Sequence, residues 1–288
     1  MSDKKNVNRP MAKGILTDVT KCIGCERCVE GCVRQHKLPA DYPMKFKADD
    51  GLSGYRYTSI VKTPGPKPGE WRMVRRQCMH CEDASCASVC LVSAFDKNPD
   101  GSVSYNADKC IGCRYCMLGC PFSNIRYQYD NPIPFVAKCK MGEECRVEGG
   151  MLACTTACPT GATVYGPRES LLKEAKRRIK ENPDLYIDHV YGEHDFGGTN
   201  VMYISDVPIE DVINMPSAKE LEAMRVPSLT HKSIPELLHA WVIVTPIQFF
   251  AVAGSLFGIK FLQRRSRLMK ERALEKQANL SNKNEGGE

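Results

Sequence analysis

Read by its apolar and polar positions, the chain alternates short strand-like runs with long stretches of no clear period. Residues 16–21 (Leu-Thr-Asp-Val-Thr-Lys) predict a short strand. Residues 71–76 alternate as a half-buried strand does; 55–61, 103–105 and 201–204 predict further short strands, and 160–165 a turn and a returning strand. One amphipathic helix is predicted over 167–180. Leu171, Leu172, Ala175 and Ile179 recur on one side of it, and Pro183 lies just past its end. Such a face packs on a domain rather than doing chemistry. Residues 39–70 are rich in Pro, Gly and Lys and read as an insertion loop. Residues 184–236 read as an extended arm, lying across a partner or across the domain itself.

The segment 237–259 is different. It has no formally charged side chain and is long enough to cross a bilayer core, although His239, Thr245, Pro246 and Gln248 interrupt its apolar run. A buried helix of a soluble domain is the other reading. The flanking charge favours the membrane: Lys260, Arg264, Arg265, Arg267, Lys270, Arg272 and Lys276 follow directly, against Glu271 and Glu275. The positive-inside rule then places the C-terminus in the cytoplasm and the preceding residues on the periplasmic side of an inner membrane. Residues 1–21 show neither an apolar signal core nor a twin arginine, so the expectation is export together with a partner that carries the signal.

Composition changes the picture of what fills the interior. The chain holds 16 Cys, 18 Pro and 22 Gly in 288 residues, with 8% aromatic residues, as suits many loops wrapped around bound cofactors. The formal net charge of +6 draws on the basic block after 259, which a membrane-flanking helix requires, so no nucleic-acid partner is expected. No dinucleotide-binding Gly fingerprint and no phosphate-binding P-loop is present.

The cysteines fall into four groups. Group one is Cys22, Cys25, Cys28 and Cys32; group two is Cys78, Cys81, Cys86 and Cys90. Group three is Cys110, Cys113, Cys116 and Cys120, followed by Pro121; group four is Cys139, Cys145, Cys154 and Cys158, followed by Pro159. Groups one and three share the tight x2, x2, x3 spacing of iron–sulfur ligands, which disulfide scaffolds do not require. Three cysteines of a run serve one cluster and the fourth reaches a neighbouring cluster; Cys120 is expected at the start of a short helix, and in group one a helix is expected to begin after Cys28 and continue through 33–37. Four [4Fe–4S] clusters would use all sixteen thiolates. Groups two and three pair as Cys78, Cys81, Cys86 and Cys120, beside Cys110, Cys113, Cys116 and Cys90. Groups one and four pair as Cys22, Cys25, Cys28 and Cys158, beside Cys139, Cys145, Cys154 and Cys32.

Several other residues stand close to these ligands. Gly24 permits a tight turn whose amide can point at a sulfur. Tyr115, Phe122 and Tyr127 read as packing that excludes solvent. Arg114 reads either as a surface cation or as a charge that raises a local potential. His80 lies between Cys78 and Cys81 and could face an interface or a cluster edge, but four cysteines make a ligand role unnecessary. His239 reads as a helix-interface residue or as a contact to a quinone or haem subunit.

These motifs, Cys22 to Cys32, Cys78 to Cys90, Cys110 to Pro121 and Cys139 to Pro159, resemble the four-cluster iron–sulfur subunits of bacterial respiratory oxidoreductases. The resemblance covers about residues 15–165. With residues 168–179, 191–200 and 206–208 it looks most like the membrane-anchored iron–sulfur subunit of quinone-linked [NiFe] hydrogenases, and next like the formate dehydrogenase beta subunit. It implies an α+β fold: duplicated two-[4Fe–4S] ferredoxin-like modules with insertions, plus one C-terminal transmembrane helix. The divisions expected are 1–165 for the four-cluster domain, 166–236 for the amphipathic helix and arm, 237–259 for the membrane helix and 260–288 for a basic cytoplasmic tail.

The implied role is a non-catalytic electron wire. Its partners would be the hydrogenase large and small subunits, or a molybdopterin subunit, and a multi-helix quinone-reactive membrane subunit. A redox-sensing iron–sulfur protein is the alternative of another class. The chain departs from the family in group four, which usually opens C-x2-C. Gly142 stands at that position and the next cysteine is Cys145. Either the loop bulges so that Cys145 ligates, or that cluster is [3Fe–4S] and Cys145 is free. Leu91 stands where a proline commonly follows group two.

Overall fold

The computed structural model describes residues 12–39, 51–129 and 135–209, and Arg264. The expected membrane helix over 237–259, with His239 and Pro246, lies outside the described residues, as does the 260–288 tail apart from Arg264. Among the described residues no helix is long and apolar enough to cross a membrane.

In chain order the strands are β1 (Lys13–Asp18), β2 (Thr58–Pro64), β3 (Trp71–Gln77), β4 (Phe95–Lys97), β5 (Val103–Tyr105), β6 (Arg126–Tyr127), β7 (Val136–Ala137), β8 (Thr163–Pro167) and β9 (Val201–Ile204). The α-helices are α1 (Arg27–Gln35), α2 (Ser85–Ser88), α3 (Tyr115–Leu118), α4 (Ala153–Thr156) and α5 (Arg168–Glu181). This is the α+β content expected of ferredoxin-like modules.

A three-stranded sheet of order β8-β1-β9 forms one wall. β1 runs antiparallel to β8, with Leu16 opposite Val164, and parallel to β9, with Leu16 opposite Met202. Both faces of β1 are covered, so Ile15, Leu16, Thr17 and Asp18 are all buried and the strand lacks a polar alternation. One face packs under α5. Leu171, Ala175 and Ile179 recur every four residues and meet Leu16, Met202, Ile204, Tyr186 and Val190. The opposite face, carrying Thr17 and Thr163, lines a cavity with Cys22, Cys25, Cys28 and Cys158. Residues 184–209, expected as an arm, therefore lie across the domain itself: Ile187 donates its N–H to the Ser205 carbonyl and β9 completes the sheet.

The remaining strands form three antiparallel pairs: β2 with β3, β4 with β5, and β6 with β7. The β2–β3 ribbon separates two sets of cysteine loops. A core of Phe95, Val103, Ile125, Tyr127 and Val136 surrounds groups two and three, with Cys116 at its centre. Helices α1 and α4 pack together beside groups one and four, and α2 packs on α3. The strand expected at 16–21 sits three residues earlier, because Asp18 ends the ladder and Val19–Lys21 turns as a 3-10 helix into Cys22.

Candidate iron–sulfur sites

All four cysteine groups are built on one local plan. The third cysteine of each is the second residue of a helix: Cys28 in α1, Cys86 in α2, Cys116 in α3 and Cys154 in α4. The fourth follows four residues later, one helical turn on. This corrects the expected placement of Cys120 at a helix start, whereas Cys32 falls within a helix as expected. Cys90, Cys120 and Cys158 lie just past the ends of their short helices, and Cys32 lies inside the longer α1.

The loops that precede the helices also share their backbone. Two residues after the first cysteine, each group enters the left-handed region: Gly24 at φ 69°, His80 at 48°, Gly112 at 70° and Met141 at 51°. Groups one and three add a second such residue before the helix, Glu26 and Arg114, because two residues must reverse the chain between ligands. His80 thus occupies the turn position that glycine fills in the tight runs. Its ring is fully buried and its Nδ1 accepts the Val103 N–H at 2.9 Å. Burial, then the Lys138 and Lys97 cations, push its pKa well below the ordinary histidine value, so the ring is neutral.

None of the sixteen cysteines is in a disulfide, and the structure brings them together in four sets that draw on more than one group. Cys22, Cys25, Cys28 and Cys158 line one cavity. Cys32, Cys139, Cys145 and Cys154 line a second. Burial, then the neighbouring Cys78, Cys120 and Cys86, drive the Cys81 thiol well up. Cys116 is raised by burial and by Cys110, Cys113 and Cys90, against a hydrogen bond from Tyr127. Cys145 is buried within its set, not set apart from it.

The sets adjoin one another in a row. Burial raises Cys28, Cys139 and Cys86 most, and a thiol of the neighbouring set adds to each: Cys154 of the second set for Cys28, Cys78 of the third for Cys139, and Cys116 of the fourth for Cys86.

The donor chemistry fits iron–sulfur clusters. Burial and mutual repulsion hold Cys28, Cys120 and Cys145 up at about 11 and Cys86 at about 12. Gathering four thiolates in such a place is unfavourable without a cationic core to bind them. Among the described residues no Cys, His, Asp and Glu side chains converge as a site for a single metal ion. Sets of four thiols suit a polynuclear cube, each of whose irons takes one thiolate.

Hydrogen bonds aimed at sulfur complete the sites. Gly112 N–H donates to Cys110 Sγ at 3.4 Å, Ala94 N–H to Cys90 Sγ at 3.2 Å, and Tyr127 Oη lies 3.1 Å from Cys116 Sγ. The Gly24 amide bonds Cys22, as the tight turn predicts. Burial raises Cys158, but hydrogen bonds from Thr163, Thr160 and Ala162 outweigh it and hold the thiol below its ordinary value. Phe122 is buried against Phe196, Tyr115 is exposed, and the Arg114 guanidinium lies 5.0 Å from the Tyr129 ring centre.

Sequence reasoning missed the buried cations. Arg75 and Arg76 on β3 are each 2% exposed. Being consecutive on a strand they point to opposite faces. Arg75 donates to Thr58 and Thr163, and Arg76 to Asn124 and the Phe122 carbonyl in the loop after Cys120. Lys138 is also buried and donates to the Val103 and Cys139 carbonyls.

This fold and these cradles define a ferredoxin-like protein of the 4Fe–4S dicluster class, and the model of the family described as "4Fe-4S dicluster domain" matches residues 69–168. The chain belongs to the family of iron–sulfur electron-transfer subunits of respiratory oxidoreductases. A protein of Nitratidesulfovibrio vulgaris (strain Hildenborough) is 42% identical over 210 residues, covering 68% of this chain and 54% of that protein. The hydrogenase-2 operon protein HybA of Escherichia coli O157:H7 is 36% identical over 248 residues, covering 74% of this chain and 75% of HybA. The iron-sulfur subunit of the nitrate-inducible formate dehydrogenase of Escherichia coli K12 is 32% identical over 197 residues, 66% of each chain. The chain thus spans about half the length of the first of these relatives and three quarters of the second.

Proposed function

We propose that this chain is the electron-transfer subunit of a membrane-bound respiratory [NiFe] hydrogenase. It relays electrons from hydrogen oxidation through four [4Fe–4S] clusters to a quinone-reactive integral membrane subunit. The observation that carries the reading is the row of four adjoining thiol cradles within one domain. The identity with HybA across three quarters of that protein supports hydrogenase as the donor.

A bound cluster supplies reversible one-electron exchange. The chain's own residues do the rest. Each cradle holds its cluster with thiolates from two groups: Cys22, Cys25, Cys28 and Cys158; Cys32, Cys139, Cys145 and Cys154; Cys78, Cys81, Cys86 and Cys120; Cys90, Cys110, Cys113 and Cys116. Tyr127, Phe122 and the apolar core around groups two and three exclude water. The backbone amides of Gly24, Ala94 and Gly112 stabilise negative charge on sulfur.

The second reading keeps the wire and changes the donor to a formate dehydrogenase or another molybdopterin oxidoreductase. The likeness to the formate dehydrogenase subunit supports it. Native purification with identification of the companion subunits separates the two: a nickel-containing partner is expected, and a pterin-containing one would reject the hydrogenase reading. The cluster domain is proposed to face the periplasm, with 237–259 in the membrane and 260–288 in the cytoplasm. Residues 1–230 should then be cut by protease added to right-side-out spheroplasts, and their protection there would reject this orientation.

A further inference from the structure

Arg75 is a large, almost fully buried side chain, and it belongs to two sites at once. It lines the cavity of Cys22, Cys25, Cys28 and Cys158, and also that of Cys32, Cys139, Cys145 and Cys154. Its Nε donates to Thr58 Oγ1 at 3.1 Å and its Nη1 to Thr163 Oγ1 at 3.0 Å. Tyr203 Oη donates to its carbonyl at 2.8 Å. Thr58 and Thr163 are neutral hydroxyls, which orient the guanidinium without cancelling its charge, and its side chain also hydrogen-bonds Cys154. Burial raises Cys22, Cys28 and Cys32, and the Arg75 charge opposes that rise, as it does for Tyr203; burial disfavours the guanidinium's own charge, and Cys154, Cys28 and Cys139 favour it. Glu26 lies on the rim of the first cavity and Lys140 on that of the second, so neither cavity depends on Arg75 alone for charge.

A guanidinium is charged at every pH the protein meets. Burying it is unfavourable unless anions surround it. A cluster held by four thiolates is an anion that becomes more negative on reduction, so a fixed cation at its edge favours the reduced form. The threonine pair holds that cation where two such anions face each other.

We infer that Arg75 is the shared positioning residue of these two clusters, a fixed cation that raises both reduction potentials and tunes the electron step between them. The inference rests on the reading that the two cradles hold clusters. No bond or proton is involved: one electron enters each cluster from its donor, the same electron leaves to the next, and the guanidinium stays protonated.

The test uses the natively purified complex carrying Arg75→Gln or Arg75→Lys. Iron and acid-labile sulfide are measured first, then the midpoint potential of each cluster by redox titration with electron paramagnetic resonance. In Arg75→Gln two of the four clusters are expected to become at least about tenfold harder to reduce, about 59 mV lower for a one-electron couple, while the other two do not move. Arg75→Lys, which keeps the charge, should recover most of the shift. Four unchanged potentials in fully loaded Arg75→Gln overturn the inference, and so does an equal fall in all four, which marks a general loosening. If Arg75→Gln fails to load iron while Arg75→Lys loads, the requirement for charge is upheld. If neither loads, the side chain acts by shape and the inference fails. A wild-type complex without iron in these cradles would instead remove the cluster reading itself.

Discussion

His36 Nε2 lies 3.2 Å from Cys145 Sγ, so the cysteine that departs from the usual spacing of group four is held inside its cradle by a residue of α1's C-terminal end. Gln35 reinforces this by donating to the Glu144 carbonyl at 3.0 Å. The x5 spacing is thus absorbed by a 3-10 turn, Glu143–Cys145, after the same left-handed residue that opens the other groups.

Cys145→Ala is therefore expected to leave three thiols in that cradle and to convert its cluster to a three-iron form. Iron analysis should fall by about one iron per chain, with the other clusters intact. Gly142 stands where the usual second cysteine would be, and a Cβ there meets nothing nearer than the Lys140 carbonyl at 3.8 Å. The double variant Gly142→Cys, Cys145→Ala should regain the four-iron cluster. Unchanged iron in Cys145→Ala would show that this thiol is not a ligand.

The two tight loops offer a matched pair of backbone tests. Gly24 and Gly112 have nearly the same positive φ, 69° and 70°, but a Cβ at Gly24 would meet Met73 Cγ at 2.9 Å, whereas one at Gly112 meets nothing within 4 Å. Gly112→Ala should cost about 1 kcal/mol of left-handed strain. Gly24→Ala should cost roughly 1–3 kcal/mol more, because Met73 must move. Comparing the temperatures at which the visible absorbance of the clusters is lost reads this order. Equal losses would contradict it.

The helix α5 is tied to β1 through one buried carboxylate. Asp18 is fully buried and accepts from Arg178 Nη1 at 3.1 Å and from Tyr186 Oη at 2.9 Å. Arg178→Ala leaves that charge without its guanidinium and should destabilise the domain by about 3 kcal/mol. Earlier thermal loss of cluster absorbance checks it, and an unshifted curve would contradict it.

On the outer face of α5, hydrogen bonds from Arg177 and Arg178 hold the Glu174 carboxyl down at about 2. A depressed carboxylate stabilises fully above its ordinary pKa and loses that support as pH falls through the folded value. These partners lie three and four residues along the helix, so a peptide spanning 166–183 should retain them. Its helicity should hold above about pH 4.5 and decline toward pH 2, with a smaller decline in Glu174→Gln. Because the pair is solvated, the effect is on the order of 0.5 kcal/mol. Equal acid losses in both peptides would contradict the pairing.

Tyr127 tests the role of hydrogen bonds to sulfur. Its hydroxyl lies 3.1 Å from Cys116 Sγ, and burial with that contact pushes its own pKa up. Tyr127→Phe removes one donor from one cradle and should lower the potential of that cluster alone. Redox titration of the four clusters reads it. A shift in none of them would show that the phenol serves only as packing.

Much of this was legible in the sequence because cysteine spacing and strand period are local signals. Val103–Tyr105 and Val201–Ile204 fall where short strands are predicted, and the face of α5 is the one its leucines and Ile179 mark. The place of Cys120 along its helix is not legible, because an x3 spacing reports one helical turn but not its direction. The shared left-handed turn is hidden because His80 and Met141 stand where groups one and three carry Gly24 and Gly112. Arg75 and Arg76 were invisible for a different reason. An arginine in an alternating strand reads as solvent-facing, and only the assembled cradles supply the buried anions that make its burial favourable.

Iron and acid-labile sulfide counted per chain in the natively purified complex test the four-cluster wire most directly. About sixteen of each are expected, four in every cradle. A count near four or eight, or cystine bridges among these sixteen positions, would contradict it.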